Sequence, residues 1–281
     1  MSKAKQVIRD SQFRYKKGLG QNFLYDEALL QELVDASGVT AEDGVLEIGP
    51  GSGSMTALLA KVCRQVIALE LDEALLPILR VTLAAHSNVT VVQGDVLKSN
   101  LREITAPLGE RFCVVANIPY YITSPLLTLL LNGTLPIKLL AVMVQKEVAD
   151  KIMARPGTDE YGMLAVRAQY HCRPYVARIV PAAAFTPPPK VDSAFVVMPF
   201  LQAPPVAVKN EATFFRVAGA AFLMRRKTML NNLQSAFSMP REAASALLSS
   251  CGLDERVRGE TLDLRTFAAL ANAYDAAGTS K

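Results

Sequence analysis

Phe112-Cys113-Val114-Val115-Ala116 runs without a break into Asn117-Ile118-Pro119-Tyr120. The first five residues are apolar and rich in β-branched side chains, which predicts a strand buried on both faces of a parallel sheet. The next four do not continue a strand. A polar amide, a residue that the following proline forces to be extended, the proline itself and an aromatic fall where such a strand opens onto a cleft. Each has a use if the target is a flat heterocycle carrying an amino group. Asn117 brings a neutral amide oxygen, and Pro119 keeps Ile118 out of the helical region so that the Ile118 carbonyl is a second acceptor. Tyr120 offers a face for stacking, worth about 1–3 kcal/mol per base. Taken alone, the tetrapeptide suits a strand ending in an Asx–Pro turn with a core tyrosine equally well.

Upstream, the same strand-then-loop unit recurs. Gly44-Val45-Leu46-Glu47-Ile48 leads into Gly49-Pro50-Gly51-Ser52-Gly53-Ser54, and Met55 to Ala60 continues as a helix. The glycines admit close backbone approach, and the helix start exposes free N–H groups. Ser54 stands where a pyrophosphate-binding loop favours glycine or alanine. The strand Val66–Leu69 ends in Glu70, twenty-one residues after Gly49, where a carboxylate can hold both hydroxyls of a ribose. The strand Val89–Gln93 ends in Gly94-Asp95, placing a second acid at the same edge, able to accept from an adenine amino group. Four successive strand ends thus carry glycines, Glu70, Asp95 and Asn117.

Downstream, Leu139–Gln145 reads as a strand, a helix starts near Lys146, and a helix from Tyr161 to about Tyr170 follows a polar loop. Two more strands are expected near Ala177–Pro181 and Ser193–Phe200. Between them, Phe185 precedes three prolines, as a stacking face opposite Tyr120 or as a hydrophobic plug. Pro204-Pro205 marks a linker. Beyond it, Phe214 to Phe237 reads as one long helix interrupted in its apolar pattern by Arg225-Arg226-Lys227, within a small all-α domain.

The chain has 281 residues, half of them hydrophobic, enough for a large and a small domain. Four dispersed cysteines and two histidines make neither a disulfide framework nor a zinc site, and suit a reducing cytoplasm. No signal peptide is expected. The uncharged run 112–137 is cut by Pro119, Pro125 and Pro136 into pieces too short to cross a membrane. The net charge of +4 is unevenly spread. Residues 1–20 hold six Lys/Arg against one acid, residues 21–200 fourteen against eighteen, and residues 201–281 ten against seven. An acidic body between basic ends suits a small-molecule site in the body and a polyanion gripped by the ends.

The loop Glu47–Gly53, the acids Glu70 and Asp95, and Asn117-Ile118-Pro119-Tyr120 resemble a class I S-adenosylmethionine-dependent methyltransferase acting on an amino group. Gly20-Gln21-Asn22-Phe23-Leu24 and Ala184–Ser193 narrow the resemblance to the rRNA adenine dimethyltransferase family, from about Lys16 to about Ala273. The run Arg225–Thr228 with Asn231-Asn232-Leu233 resembles the branch acting on the small subunit, although Met224 departs from the glutamine common there.

The resemblance implies an α/β fold, a Rossmann-like methyltransferase domain at 26–203, preceded by a basic segment at 1–25 and followed by an α-helical RNA-contacting domain at 204–281. It implies S-adenosyl-L-methionine held by Asn22, Leu24, Gly49, Gly51, Gly53, Glu70, Asp95 and Asn117. It implies catalysis by Asn117, Ile118, Pro119, Tyr120 and Phe185, and RNA contacts from Lys16, Lys17, Arg225, Arg226 and Lys227, with no metal. The expected reaction is N6,N6-dimethylation of two adjacent adenines in the 3′-terminal hairpin loop of 16S rRNA, by a cytoplasmic monomer acting on an assembling 30S subunit. A large-subunit resistance methylase, a DNA adenine methyltransferase, a non-catalytic assembly factor and a nicotinamide oxidoreductase are the competing readings.

Overall fold

A computed structural model describes residues 3–11 and 13–278, without the side chains of Lys3 and Lys17. Its strands are β1 (Phe23–Leu24), β2 (Gly44–Ile48), β3 (Gln65–Glu70), β4 (Val89–Gln93), β5 (Phe112–Asn117), β6 (Ile137–Gln145), β7 (Tyr175–Val180), β8 (Phe185–Thr186) and β9 (Ser193–Pro199). Seven form one sheet in the order β4-β3-β2-β5-β6-β9-β7. The first five run parallel, and β9 lies antiparallel between β6 and β7. Residues of β2 and β5 are buried almost throughout, as a central parallel strand covered by helices on both faces requires. This is the Rossmann-like methyltransferase sheet that the resemblance implies.

Register brings the functional ends together. Ile48 pairs with both Leu69 and Ala116, Glu70 with Gln93, and Asn117 with Met143, so the loops after β2, β3, β4 and β5 leave the same edge. Strand order reverses on either side of β2, and such a switch point opens a crevice at the carboxyl ends. A small antiparallel ladder, β1 with β8, pairs Phe23 with Thr186 and Leu24 with Phe185.

The chain divides into two compact units. One runs through Ala149 and resumes over Arg173–Phe200; the other takes Asp150–Cys172 and the chain from Leu201 onward. The linker at Pro204-Pro205 is therefore not the whole boundary. Tyr161, Ala165 and Tyr170 are buried with Phe214, Leu233 and Phe267 in the core of the helical unit. Their apolar periodicity is plain in sequence, but its direction is set by partners more than forty residues away.

Two further expectations change. The long helix over Phe214–Phe237 is two helices, Glu211–Leu223 and Met229–Phe237. Asn232, fully buried, donates from Nδ2 to the carbonyls of Ala221 (3.3 Å) and Met224 (3.4 Å), satisfying the end of the first helix. Thr228 caps the second, accepting from Asn231 N–H at 3.4 Å, while Met229 N–H donates to Val257 at 2.7 Å. Arg225-Arg226-Lys227 consequently lies on the intervening turn, not on a helix. At the other end, Lys3–Asp10 forms a helix that the basic sequence does not signal. Its Ile8 packs with Leu75 and Ile78, and packing of this kind is what stabilises so short a helix. Among the described residues, no helix is long and apolar enough to cross a membrane.

Candidate active site

The parallel edge of the sheet bounds a cavity of about 270 Å³. Asn22, Gly49, Gly51, Glu70, Asp95 and Asn117 all line it, as do Ile118, Pro119 and Tyr120. These residues come from five separate chain segments; the sheet register brings four of them to one edge, and the segment carrying Asn22 closes over that edge from outside the sheet. Leu24 lines a smaller adjoining cavity beside Gly49 and Asn117. Gly53 lines neither. It sits left-handed (φ +80°) at the start of the helix Ser54–Val62, facing Leu79.

Glu70 is 6% exposed and pre-oriented. Its Oε2 accepts from Gly51 N–H (3.2 Å) and its Oε1 from Asp72 N–H (2.8 Å), which leaves further lone pairs on both oxygens toward the cavity. Burial raises its pKa despite these bonds. Asp95 accepts from Leu97 N–H (3.0 Å) and pairs with Lys98 at 3.3 Å. Gly51 is required by its neighbour: it has φ +58°, and a Cβ there would lie 2.9 Å from the Phe23 ring.

Asn117 is oriented by the N-terminal segment. Its Nδ2 donates to the Asn22 carbonyl at 3.0 Å, which makes Oδ1 the end left for a ligand. Ile118 N–H is taken by the Met143 carbonyl (3.2 Å), and the Ile118 side chain is buried. Pro119 holds φ −58° and ψ 130°, the extended bend that the sequence calls for. The Tyr120 hydroxyl shares a 2.7 Å hydrogen bond with Ser193, and burial raises its pKa. The ring is thereby fixed as a wall.

Phe185 does not join this set. It is 3% exposed and packs with Leu24, Leu30 and Leu33, beside the β1–β8 ladder. Of its two sequence readings the plug is the one found, because the ladder turns this side chain inward. The exposed aromatic on the cavity wall is Tyr121, 50% accessible. Adjacency to Tyr120 is the only sequence signal for Tyr121; Ser193 closes the Ala184–Ser193 motif, but its pairing with Tyr120 needs the fold.

The basic residues sort differently from expectation as well. Lys16 is spent on Asp72 (2.7 Å). The Lys17 side chain lies outside the described residues. Arg225 donates to the carbonyls of Thr158 and Asp159 and so ties a loop of the helical unit. Arg226 and Lys227 are exposed on the turn, and neither engages an ion pair among the described residues.

Glu47 is a buried acid that the motif contains and the sequence reading leaves without a role. It is 3% exposed, its Oε2 has no hydrogen-bond partner, and it borders the smaller cavity. Burial, with the Glu70 charge adding to it, raises the pKa from 4.5 to about 8. The folded protein therefore holds a proton there that the unfolded chain has released, so this group stabilises fully below pH 4.5 and its contribution is lost as pH rises toward 8. Glu47→Gln is expected to remove a fall in unfolding free energy of roughly 1 kcal/mol per pH unit across that window. Denaturant titrations at several pH values check it; parallel wild-type and variant curves would sink the assignment.

Comparison with known proteins agrees with this geometry. Over residues 12–275 the sequence matches the family described as Ribosomal RNA adenine dimethylase. It is 44% identical over 280 residues to the Ribosomal RNA small subunit methyltransferase A of Geobacillus thermodenitrificans, covering 96% of this chain and 94% of the relative. The same-named protein of Bacillus mycoides is 44% identical over 278 residues, covering 97% and 95%. Among solved structures, a dimethyladenosine transferase from Plasmodium falciparum superposes with a TM-score of 0.77 at 23% identity, covering 91% of this chain and 98% of that one. The 23S rRNA methyltransferase ErmE gives 0.68 at 27%, covering 90% and 100%. With its strand-end residues gathered on one cavity and with such relatives along nearly its whole length, the chain belongs to the ribosomal RNA adenine dimethylase family.

Proposed function

We propose that this protein transfers methyl groups from S-adenosyl-L-methionine to N6 of two adjacent adenines in the 3′-terminal hairpin loop of small-subunit rRNA. The observation that carries the reading is Asn117. Its amide is anchored through Nδ2 to Asn22, so Oδ1 is presented on the wall where Glu70 and Asp95 also converge. Such an acceptor suits an exocyclic amine, and the 44% identity to small-subunit enzymes favours that subunit over the large one.

The residues present fit the cofactor. Glu70 has lone pairs for a ribose, Asp95 an acceptor for an adenine amine, and Gly49 and Gly51 allow close backbone approach. The bound cofactor supplies an already activated methyl group, so positioning provides most of the acceleration. Asn117 Oδ1 and the Ile118 carbonyl hold the target amine and align its lone pair. Tyr120, fixed by Ser193, supports one face of a base taken out of its stack. A neutral amide is sufficient in the second round, when one N–H has become N–CH₃.

In the helical unit, Arg226 and Lys227 grip RNA phosphate, positioning the substrate without reading bases. Arg226→Ala with Lys227→Ala is expected to lower the slope of log affinity against log salt by about one unit for each phosphate no longer neutralised, whereas Arg225→Ala leaves the slope unchanged. The enzyme acts as a cytoplasmic monomer on an assembling 30S subunit, in keeping with its free cysteines. Labelled S-adenosylmethionine offered with small or large subunits lacking the modification, followed by base mapping, tests the reading. Label on large-subunit RNA alone would overturn it in favour of the resistance-methylase alternative.

A further inference from the structure

Residues Leu19 to Phe23 form one wall of the main cavity, yet they belong to a segment that makes no ladder with the seven-stranded sheet. What holds this wall in place is unusual in its chemistry. Asp72, two residues beyond Glu70, has a side chain only 1% exposed. Its Oδ1 accepts from Lys16 Nζ at 2.7 Å and from Ala74 N–H at 3.1 Å, and its Oδ2 accepts from Gln21 Nε2 at 2.8 Å. Gln21 in turn accepts from Lys16 N–H at 2.7 Å. One buried carboxylate thus binds both ends of the run 16–21, across more than fifty residues of sequence. Meanwhile the Asp72 N–H donates to Glu70 Oε1 at 2.8 Å.

We infer that Asp72 is a positioning residue that latches the 16–22 segment over the cavity and couples this closure to Glu70. The partners are unequal in a telling way. Asp72 is buried on the loop after β3, while Lys16 is half-exposed, so the side of the latch free to move is the N-terminal one. Opening would expose a carboxylate that costs little to hydrate, because charged partners are replaced by water. Apolar packing supplies the hinge. Phe13, Tyr15, Phe23 and Tyr25 pack ring against ring, mostly edge to face, at centroid distances of 5.4 to 6.1 Å, and β1 remains paired with β8 on the far side of Asn22. The segment between these anchors, 16–22, is held to the rest chiefly by Asp72 and by the Asn22–Asn117 bond. When the latch is shut, the Asn22 carbonyl that orients Asn117 is in position and the wall of the cavity is complete. Loss of the latch therefore lowers the fraction of molecules competent to bind, which weakens apparent affinity by that fraction and leaves chemistry in the closed state intact.

This inference takes its ligand from the function proposed above, and its test separates the two. Asp72→Asn keeps size and removes charge; Lys16→Met keeps the aliphatic stem and removes the ammonium at a half-exposed position. Amide hydrogen exchange is measured on the ligand-free proteins, and S-adenosylhomocysteine binding by calorimetry. Both variants are expected to speed exchange of amides 16–22 about tenfold while amides of β2 and β5 stay protected, since a local opening is read by exchange independently of global stability. Asp72→Asn is expected to weaken S-adenosylhomocysteine about tenfold and to raise KM for S-adenosylmethionine by the same factor, with kcat at saturation nearly unchanged. Unchanged exchange at 16–22 would overturn the latch. So would loss of protection in β2 and β5 together with it, since Asp72 would then be supporting the whole fold. Failure of S-adenosylhomocysteine to bind the unaltered protein would sink the cofactor reading, and the exchange result alone would then decide the latch.

Discussion

Asn117→Ala is expected to slow single-turnover methylation by about 10²- to 10³-fold, the scale for removing one preorganised polar group that acts on the reacting atoms. The residue sits at the carboxyl end of β5, where its Nδ2 bond to Asn22 fixes which end of the amide meets the ligand. Without Oδ1 the target amine keeps the Ile118 carbonyl as its one acceptor, and its lone pair is no longer aligned. Cofactor binding is weakened much less. The Asn22 carbonyl gives up one hydrogen-bond donor, about 1 kcal/mol, while Glu70 and Asp95 are untouched. Rapid-quench kinetics at saturating RNA and cofactor measure the first effect, and calorimetry the second. A variant that turned over within a few-fold of the parent would remove Asn117 from the chemistry.

The second large effect falls on stability. Phe185→Ala is expected to cost about 3–5 kcal/mol of unfolding free energy, the range for deleting a buried aromatic ring. The ring is 3% exposed, in the same buried cluster as Leu24, Leu30 and Leu33. Phe185→Leu keeps most of the volume and is expected to cost less than half as much. A base-stacking residue would behave oppositely, forfeiting about 1–3 kcal/mol in substrate binding with stability preserved. Denaturant unfolding with single-turnover assays on the Leu variant separates the two. A stable protein with a crippled methylation rate would restore Phe185 to the active site.

Much of the site is legible in the chain alone, for a local reason. Strands in a parallel sheet are short apolar runs, and the residues just beyond each run are automatically at its carboxyl edge. Glu70, Asp95 and Asn117 can be assigned to one crevice from chain order, because alternating β/α units bring successive ends to the same side.

What only tertiary structure decided is whether a given side chain is free or engaged. Lys16 is a cation in a basic segment until Asp72, fifty-six positions away, takes it. Arg225 reads the same as Arg226 and Lys227 until the carbonyls of Thr158 and Asp159 claim it. Phe185 precedes an extended proline loop in either reading, and the pairing of Leu24 with Phe185 places it inside. The apparent long helix breaks because Asn232 reaches back to Ala221 and Met224 and because Thr228 meets Arg258, contacts that helical periodicity does not encode. The sequence by itself determined where along the chain the strands of the main sheet lie and the chemical groups at their ends, since both depend on neighbours along the chain. Burial and pairing depend on partners brought near by folding, and the fold alone settled which of those groups point into the cavity and which are consumed in holding it together.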